Sequence, residues 1–256
     1  MTESPPKMTA TVTAISLLGL LFFWIVLAWL KADPKVLPTP FAVWEIILAE
    51  AASGDLFYHM QATIWRVAAA FSLAMGLGLI IGIAMGVNAR LDRWFSPWLI
   101  VFLNIPALVV IVLCYLWIGL NEVAAITAVA LNKTAMVAVT IREGTRALDP
   151  KLSDMATSFQ MGHIARLRHV TLPQLWPFIA SSTRNGLAII WKIVLVVEFL
   201  GRSNGVGFQI HLYFQLFDIG TVMAYALSFV AFILLLEGLL IVAFEKRVTA
   251  WRMASA

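Results

Sequence analysis

Charged residues are scarce in this sequence: Asp, Glu, Lys and Arg together occupy 12% of its 256 positions. An average soluble domain carries roughly 25% of these residues. Hydrophobic residues account for 61% of the chain, and the mean hydropathy is +0.90. This scarcity of charge excludes an ordinary soluble domain and indicates an integral membrane protein.

Cysteine and recognisable chemical motifs are also scarce. The single cysteine, Cys114, lies in an apolar run, and one cysteine cannot form an intrachain disulfide. The phosphate-binding pattern G-x-x-x-x-G-K-[ST] does not occur. The histidines lack the spacing of a metal site, and no Ser/His/Asp or Cys/His arrangement indicates catalysis. The chain is therefore predicted to hold no cofactor or metal and not to be an enzyme.

Long apolar runs recur along the chain, and a membrane span needs about 20 such residues. The first run is too long for a signal-peptide core and is followed by no A-x-A cleavage site, so it is predicted to be a retained span. We predict an all-α integral membrane protein with one transmembrane domain over residues 1–256. A short interfacial helix is predicted over residues 42–52. The six predicted spans are residues 12–30, 64–87, 98–120, 123–141, 183–200 and 222–244.

Basic residues are distributed unevenly between the two sides of these spans. If the N-terminus is cytoplasmic, the inside segments hold Lys7, Arg90, Arg93, Arg142, Arg146, Lys151, Arg166, Arg168, Arg184, Lys246, Arg247 and Arg252. The outside segments hold only Lys31, Lys35 and Arg202. The positive-inside rule therefore places both termini and residues 142–182 in the cytoplasm. The net charge of +4 follows from this bias and requires no nucleic-acid partner.

The predicted cytoplasmic segment has the pattern of a basic helical hairpin. Pro150, at a first helical position, predicts a helix over residues 151–161 that ends at Gly162. A second helix is predicted over residues 163–170, and Pro173 is expected to stop or redirect the chain. Gly162 is expected to supply the tight turn between the two helices.

One face of this hairpin is apolar and is formed by Leu152, Met155, Ala156 and Phe159. The segment is too short and too charged to enter the bilayer. Either a partner protein or the spans cover this face, or the hairpin lies on the lipid surface, which would explain its basic residues equally well.

Small residues repeat along the second predicted span, at Gly76, Gly78, Gly82 and Gly86. The last three form two overlapping G-x-x-x-G spacings, which let helix backbones approach closely in lipid. Two interpretations remain open: close packing within one subunit and a dimer seam.

A few polar residues interrupt the predicted spans. Charged groups at mid-bilayer are costly and usually face a bundle interior or a cavity. The candidates for a pathway are therefore Lys133, Lys192 and Glu198, followed by Asn132, Asn104 and Glu122. The two lysines would suit an anion, while structural ion pairs or snorkelling to an interface remain the alternatives. Lys192 and Glu198 are six residues apart and fall on different helix faces.

The cytoplasmic segment resembles a known loop motif. Asp154-Met155-Ala156, followed by Gly162 and later by Leu172-Pro173, is similar to the coupling loop of permease subunits in bacterial binding-protein-dependent ABC importers. The family pattern has Glu-Ala-Ala, then glycine, then Leu-Pro. Asp154 and Met155 depart from that pattern in identity but not in spacing.

The resemblance extends along nearly the whole chain and points to the nitrate, sulfonate and taurine branch of that family. Short matching stretches occur in order at residues 37–40, 53–56, 63–71, 104–107, 197–201 and 205–207.

The resemblance implies a type I ABC importer permease fold in the bacterial inner membrane. It implies a second permease subunit, expected to form a homodimer, and two cytoplasmic ATPase subunits that bind ATP and Mg²⁺. A periplasmic or lipid-anchored binding protein would deliver a sulfonate, taurine or nitrate. The residues it assigns to ATPase coupling are Asp154, Met155, Ala156, Phe159, Gly162, Arg166, Arg168, Leu172 and Pro173.

Two other classes of membrane protein are weaker alternatives. An ion-coupled secondary transporter needs carboxylates within broken spans, and Glu198 alone offers little support. A membrane enzyme needs a polar constellation at one interface, and the sequence shows none. An ABC importer permease is therefore the predicted function.

Overall fold

The computed structural model describes residues 10–31 and 33–253, with side chains described for residues 11–31, 33–236 and 238. Lys7 and the side chains of Lys246, Arg247 and Arg252 lie outside this part. Within it the chain is helical and contains no strand, which confirms the predicted all-α class. The helices are α1 Ala10–Lys31, α2 Pro40–Ser53, α3 Asp55–Val87, α4 Ala89–Asn104, α5 Ala107–Ile118, α6 Glu122–Arg146, α7 Pro150–Ser158, α8 His163–Arg166, α9 Leu172–Gly201, α10 Val206–Gln215 and α11 Ile219–Met253.

Several of these helices are long and apolar enough to cross a membrane. Among the described residues, α1, α3, α6 and α11 qualify individually, and α4 with α5 qualifies as a bent pair. The predicted span over residues 183–200 lies in the 30-residue α9 and contains Arg184, Lys192 and Glu198. The total of six spans therefore stays a prediction.

The predicted span over residues 98–120 is not one continuous helix. It is divided between α4 and α5, whose axes bend by 98° at a short break. Ile105 is extended there, with φ −72° and ψ 123°. A residue that precedes proline disfavours the helical conformation, so Pro106 explains the break.

The main core lies where α3, α5, α6, α9, α10 and α11 meet, around Ile111, Val194 and Tyr225. The predicted interfacial helix over residues 42–52 is present as α2, and Thr39 Oγ1 caps it by accepting the Ala42 N–H. By contrast α1 is almost wholly exposed, and its Trp24 Nε1 donates to the Pro38 carbonyl at 3.1 Å.

Three glycines of α3 pack against α6 of the same subunit, which favours close packing within one subunit over a dimer seam. A Cβ on Gly78 would lie 2.5 Å from Val137, and one on Gly82 would lie 2.7 Å from the Ala138 carbonyl of α6. Gly86 faces Thr145 in the same way. The row of small residues therefore lets α3 and α6 pack closely.

Candidate functional site

Two arginines and two glutamates meet where α3, α6, α9 and the loop before α10 come together. The Arg66 side chain is buried in this group and pairs with both glutamates. Its guanidinium donates to Glu198 Oε1 at 2.6 Å and, through Nη2 and Nε, to Glu122 at 2.7 and 2.9 Å. It also donates to the Asn204 backbone carbonyl at 2.9 Å and to the Asn204 side chain. Together with Arg202, which donates to Glu122 Oε1 at 2.6 Å, these residues form the Arg66 cluster.

Glu198 also organises the first turn of α10. Its Oε2 accepts the Thr63 hydroxyl and the Gly207 N–H, both at 2.9 Å. Thr63 Oγ1 accepts the Val206 N–H at 2.9 Å, and His59 Nδ1 accepts the Gly205 N–H at 3.0 Å. Side chains of α3 and α9 thus satisfy backbone donors that a helix start leaves free.

The glycines in this turn are required by the close approach of Glu198. A Cβ on Gly205 would collide with the Glu198 carboxyl group, and one on Gly207 would collide with the Leu195 carbonyl. Gly205 also has φ +109°, which favours glycine. The stretches 197–201 and 205–207 therefore pack directly against each other.

This geometry bears on the predicted pathway role of Glu198. Both carboxylate oxygens are occupied and the residue is fully buried, which matches the structural-pair alternative. The sequence analysis missed Arg66, although an arginine inside an apolar run indicates that a buried anion must lie nearby.

The other pathway candidates are not brought together. Lys133 is buried in α6, and among the described residues its Nζ contacts Met136 Sδ at 3.6 Å. The neighbouring Asn132 is half-buried, whereas Asn104 is exposed and donates to the Ile100 carbonyl at 2.7 Å. Lys192 is exposed near the middle of the predicted span in α9. Among the described residues, no group of three or more His, Cys, Asp or Glu side chains could hold a metal ion.

The predicted coupling hairpin is two short helices, but its turn differs from the prediction. Gln160, not Gly162, adopts the left-handed conformation, with φ 51°. The Met161 N–H donates to the Ala156 carbonyl at 2.9 Å across this turn, which is typical of a left-handed helix C-cap. Gly162 has φ −61° and ψ 157°, which any residue can adopt, and it precedes α8 as N-cap. The tight turn therefore does not depend on a glycine at position 162.

The expected stop at Pro173 is also wrong. A π-helical turn over Leu167–Thr171 joins α8 directly to α9, and the Leu172 N–H donates to the Leu167 carbonyl five residues earlier. Proline's ring clashes with the carbonyl four residues earlier in a regular helix, and the wider turn relieves that clash. The chain therefore runs helically from His163 to Gly201.

The apolar face of this segment is largely uncovered. Phe159 is 76% exposed and Ile164 is 82% exposed, while Leu152 and Met155 are exposed to a lesser extent. Ala156 is buried, and Arg166 donates to Ser153 Oγ across the turn. Asp154 and Arg168 are exposed. Within the described residues, nothing covers the two most exposed apolar side chains.

An ion-pair cluster fixes the end of α6 that leads into this segment. Arg142 donates to Asp92 at 3.3 Å and to Ser96 Oγ at 2.5 Å, and Arg146 also pairs with Asp92. Arg142 Nη2 also forms an ion pair with Glu143 Oε1 at 2.7 Å. The start of α4 and the end of α6 are therefore tied together just before α7.

Comparison with known proteins gives consistent matches. The family described as the inner membrane component of binding-protein-dependent transport systems matches residues 74–250. The aliphatic sulfonates transport permease protein SsuC of Bacillus subtilis is 36% identical over 175 residues, which cover 68% of this chain and 63% of that protein. The match thus spans less than two thirds of that relative. The taurine transport permease TauC of Escherichia coli is 26% identical over 96% of this chain and 92% of its own length.

Solved structures agree on the fold. An amino acid ABC transporter matches with a TM-score of 0.63 at 22% identity, over 79% of this chain and 98% of its own. The methionine ABC transporter MetNI, in inward-facing conformations, matches with a TM-score of 0.58 at 19% identity. This match covers 73% of this chain and 93% of the MetNI chain. The fold is therefore that of ABC importer permeases, as predicted. With the match over residues 74–250, this chain belongs to the family of inner membrane permease components of binding-protein-dependent ABC transport systems.

Proposed function

We propose that this chain is the translocating subunit of an ATP-driven importer for a small anion, with sulfonates and taurine as the first candidates. Two copies form the pathway across a bacterial inner membrane, with both termini in the cytoplasm. Two ATPase subunits bind ATP and Mg²⁺ and drive the cycle, since the phosphate-binding pattern is absent from this sequence. A periplasmic or lipid-anchored binding protein delivers the substrate.

The observation that carries this proposal is the uncovered apolar face of the segment from α7 to the π-helical turn. Phe159 and Ile164 are highly exposed on a segment that is predicted to lie outside the spans. Exposed apolar groups of this size mark interaction sites. An ATPase groove is the proposed occupant, and the basic Arg166 and Arg168 would lie near acidic residues at its rim.

The substrate class rests on the relatives and on charge. Two of the relatives are described as permeases for aliphatic sulfonates and for taurine. Glu198 is occupied in the Arg66 cluster, whereas Lys192 makes no ion pair among the described residues, so α9 offers a cation to a passing anion. Lys192 faces out of the subunit, where a pathway between two copies would run, whereas Lys133 is buried in α6 next to the half-buried Asn132.

A continuous helix supports the proposed coupling mechanism. α9 begins at the π-helical turn, carries Lys192 near its middle and ends at the Arg66 cluster. At 1.5 Å per residue its 30 residues extend about 45 Å. A displacement of the docked segment would therefore be passed directly to the helix that carries the proposed pathway lysine.

Co-purification tests the docking claim. Phe159→Asp is expected to lose the ATPase when the tagged permease is extracted in mild detergent, because it places a charge in an apolar contact. Phe217→Asp is the matched control: that phenylalanine is 83% exposed, but it lies between α10 and α11, far along the chain from the docking segment. Retention of the ATPase and of ATP-dependent uptake by Phe159→Asp would contradict the proposal.

A further inference from the structure

The helix α4 has two opposite faces of different chemistry. Asp92, Ser96 and Leu99 recur at helical spacing on the face toward α6, and the Asp92 carboxylate pairs there with Arg142 and Arg146. Leu99 is buried in a small core that α4 shares with α3 and α6. This inner face fixes how α4 is rotated and therefore which of its residues point away from the subunit.

The outer face of α4 carries Arg90, Arg93, Trp94, Trp98 and Val101, which we call the α4 stripe. All five residues are exposed. At about 100° per residue they fall within roughly 140° of one another, on the side opposite Asp92. Trp94 is 73% exposed and Trp98 is 62% exposed. Two large aromatic side chains therefore lie uncovered beside two arginines on one side of one helix.

The chemistry of the α4 stripe changes in order along the helix. The arginines come first, the two indoles follow, and the aliphatic Val101 comes last. Arg90 and Trp98 are separated by about 12 Å along the axis, and the headgroup layer of one leaflet is roughly 5 to 8 Å thick. Indoles favour the boundary between headgroups and hydrocarbon. The stripe thus follows the layers of a single membrane leaflet.

The charge of the α4 stripe is uncompensated. Arg90 and Arg93 form no ion pair among the residues that the structure describes. The acidic residue between them, Asp92, is already paired with two arginines of α6 on the inner face. A guanidinium matches the geometry of a phosphate and can bind it through two parallel hydrogen bonds. The chemical complement of the stripe is therefore a phosphate with a net negative charge that is attached to an apolar chain.

We propose that the α4 stripe binds an anionic phospholipid, with the phosphate on Arg90 and Arg93 and an acyl chain along Trp94, Trp98 and Val101. In the predicted topology this lipid belongs to the cytoplasmic leaflet. A soluble protein would match the arginines but not the indoles and the valine, which lie toward the hydrocarbon core. A zwitterionic phospholipid matches less well, because its own cation offsets the phosphate charge. The site goes beyond the proposed function and does not depend on the transported substrate.

Native mass spectrometry of the purified permease, with the subunits that it retains, tests the charged half of the site. Phosphatidylglycerol or phosphatidylcholine with the same acyl chains is titrated, and the retained lipid molecules are counted. The wild type is expected to bind phosphatidylglycerol about tenfold or more tightly, because each basic residue near the surface attracts anionic lipid. Arg90→Gln/Arg93→Gln is expected to abolish this preference. Lys31→Gln/Lys35→Gln removes two exposed cations elsewhere and should keep it.

A second pair of variants tests the apolar half of the site. Trp94→Ala/Trp98→Ala is expected to weaken the binding of both lipids several-fold and to keep the preference for phosphatidylglycerol, because it removes apolar contact and leaves both charges. Trp29→Ala/Trp117→Ala is the matched control, since each of these indoles is 78% exposed on another helix. Equal melting temperatures without added lipid show that every variant is folded.

Three results would overturn the inference. One is an undiminished preference for phosphatidylglycerol in Arg90→Gln/Arg93→Gln. Another is an equal loss of preference in Lys31→Gln/Lys35→Gln, because the attraction would then be a general effect of net charge. The third is loss of the ATPase from Arg90→Gln/Arg93→Gln on co-purification, which would assign the two arginines to a protein contact. The proposed function fails by a separate measurement, the absence of an ATPase on the wild-type permease.

Discussion

Arg66 and Glu198 show how charges are accommodated inside apolar helices. Both are buried. Arg66 uses all five of its N–H donors on the two glutamates and Asn204, and both oxygens of Glu198 accept hydrogen bonds, one of them from the first turn of α10. A buried ion pair of this kind does not by itself guarantee stability, but removal of one partner leaves an uncompensated charge. The pair therefore specifies how α3, α9 and α10 meet.

Removal of Arg66 is predicted to destabilise the protein strongly. Arg66→Ala leaves Glu198 charged, buried and without a cation, which costs about 3 to 5 kcal/mol. The expected result is a much lower melting temperature of the detergent-solubilised protein. Arg146→Ala is the control, because Arg146 is 42% exposed and its ion pair contributes about 1 kcal/mol or less. Similar melting temperatures for the two variants would contradict a structural role for the Arg66 cluster.

At the scale of elements, α3 and α6 pack closely against each other. The glycines of α3 meet Val137, Ala138, Ile141 and Thr145 of α6, and no larger side chain fits between the two backbones. The sequence pattern predicted close packing of some kind, and the structure shows that both helices belong to the same subunit.

Substitution of a glycine of α3 by alanine, which adds one methyl group, tests this contact. Gly82→Ala places a Cβ 2.7 Å from the Ala138 carbonyl, and overpacking of this kind costs about 1 to 3 kcal/mol. Gly76→Ala, on the same helix, meets nothing within 4 Å and is expected to be neutral or slightly stabilising, because alanine favours helix by roughly 0.5 to 1 kcal/mol. The melting temperature should therefore fall for Gly82→Ala and stay level or rise slightly for Gly76→Ala. A tolerated Gly82→Ala would show that α3 and α6 are not in close contact.

At the scale of the whole molecule, the docking segment and the Arg66 cluster lie at opposite ends of α9. The bias of basic residues predicts that the docking segment is cytoplasmic, and the Arg66 cluster is then at the outer face. The exposed Ser158 and Ser203 mark these two ends.

Cysteine labelling tests this orientation, because the chain has a single, buried cysteine that Cys114→Ala removes. In intact spheroplasts, a membrane-impermeant maleimide is expected to label Ser203→Cys, since Ser203 lies on the outer side in the predicted topology. Ser158→Cys should react only after permeabilisation. The reverse result would invert the topology and remove the docking segment from the cytoplasm.

The amino-acid composition determined that this is a helical membrane protein, because apolar runs of span length and a bias of basic residues are local properties of a chain. The short motifs determined the family in the same way. The break before Pro106 is a local feature as well, because proline disfavours a helical residue before it. The partner of Glu198, by contrast, lies 132 residues away, and only the tertiary structure decided that pairing, since ion pairs and packing join residues that are distant in sequence. For the same reason, sequence alone singled out Glu198 as a buried charge but not Arg66 as its partner.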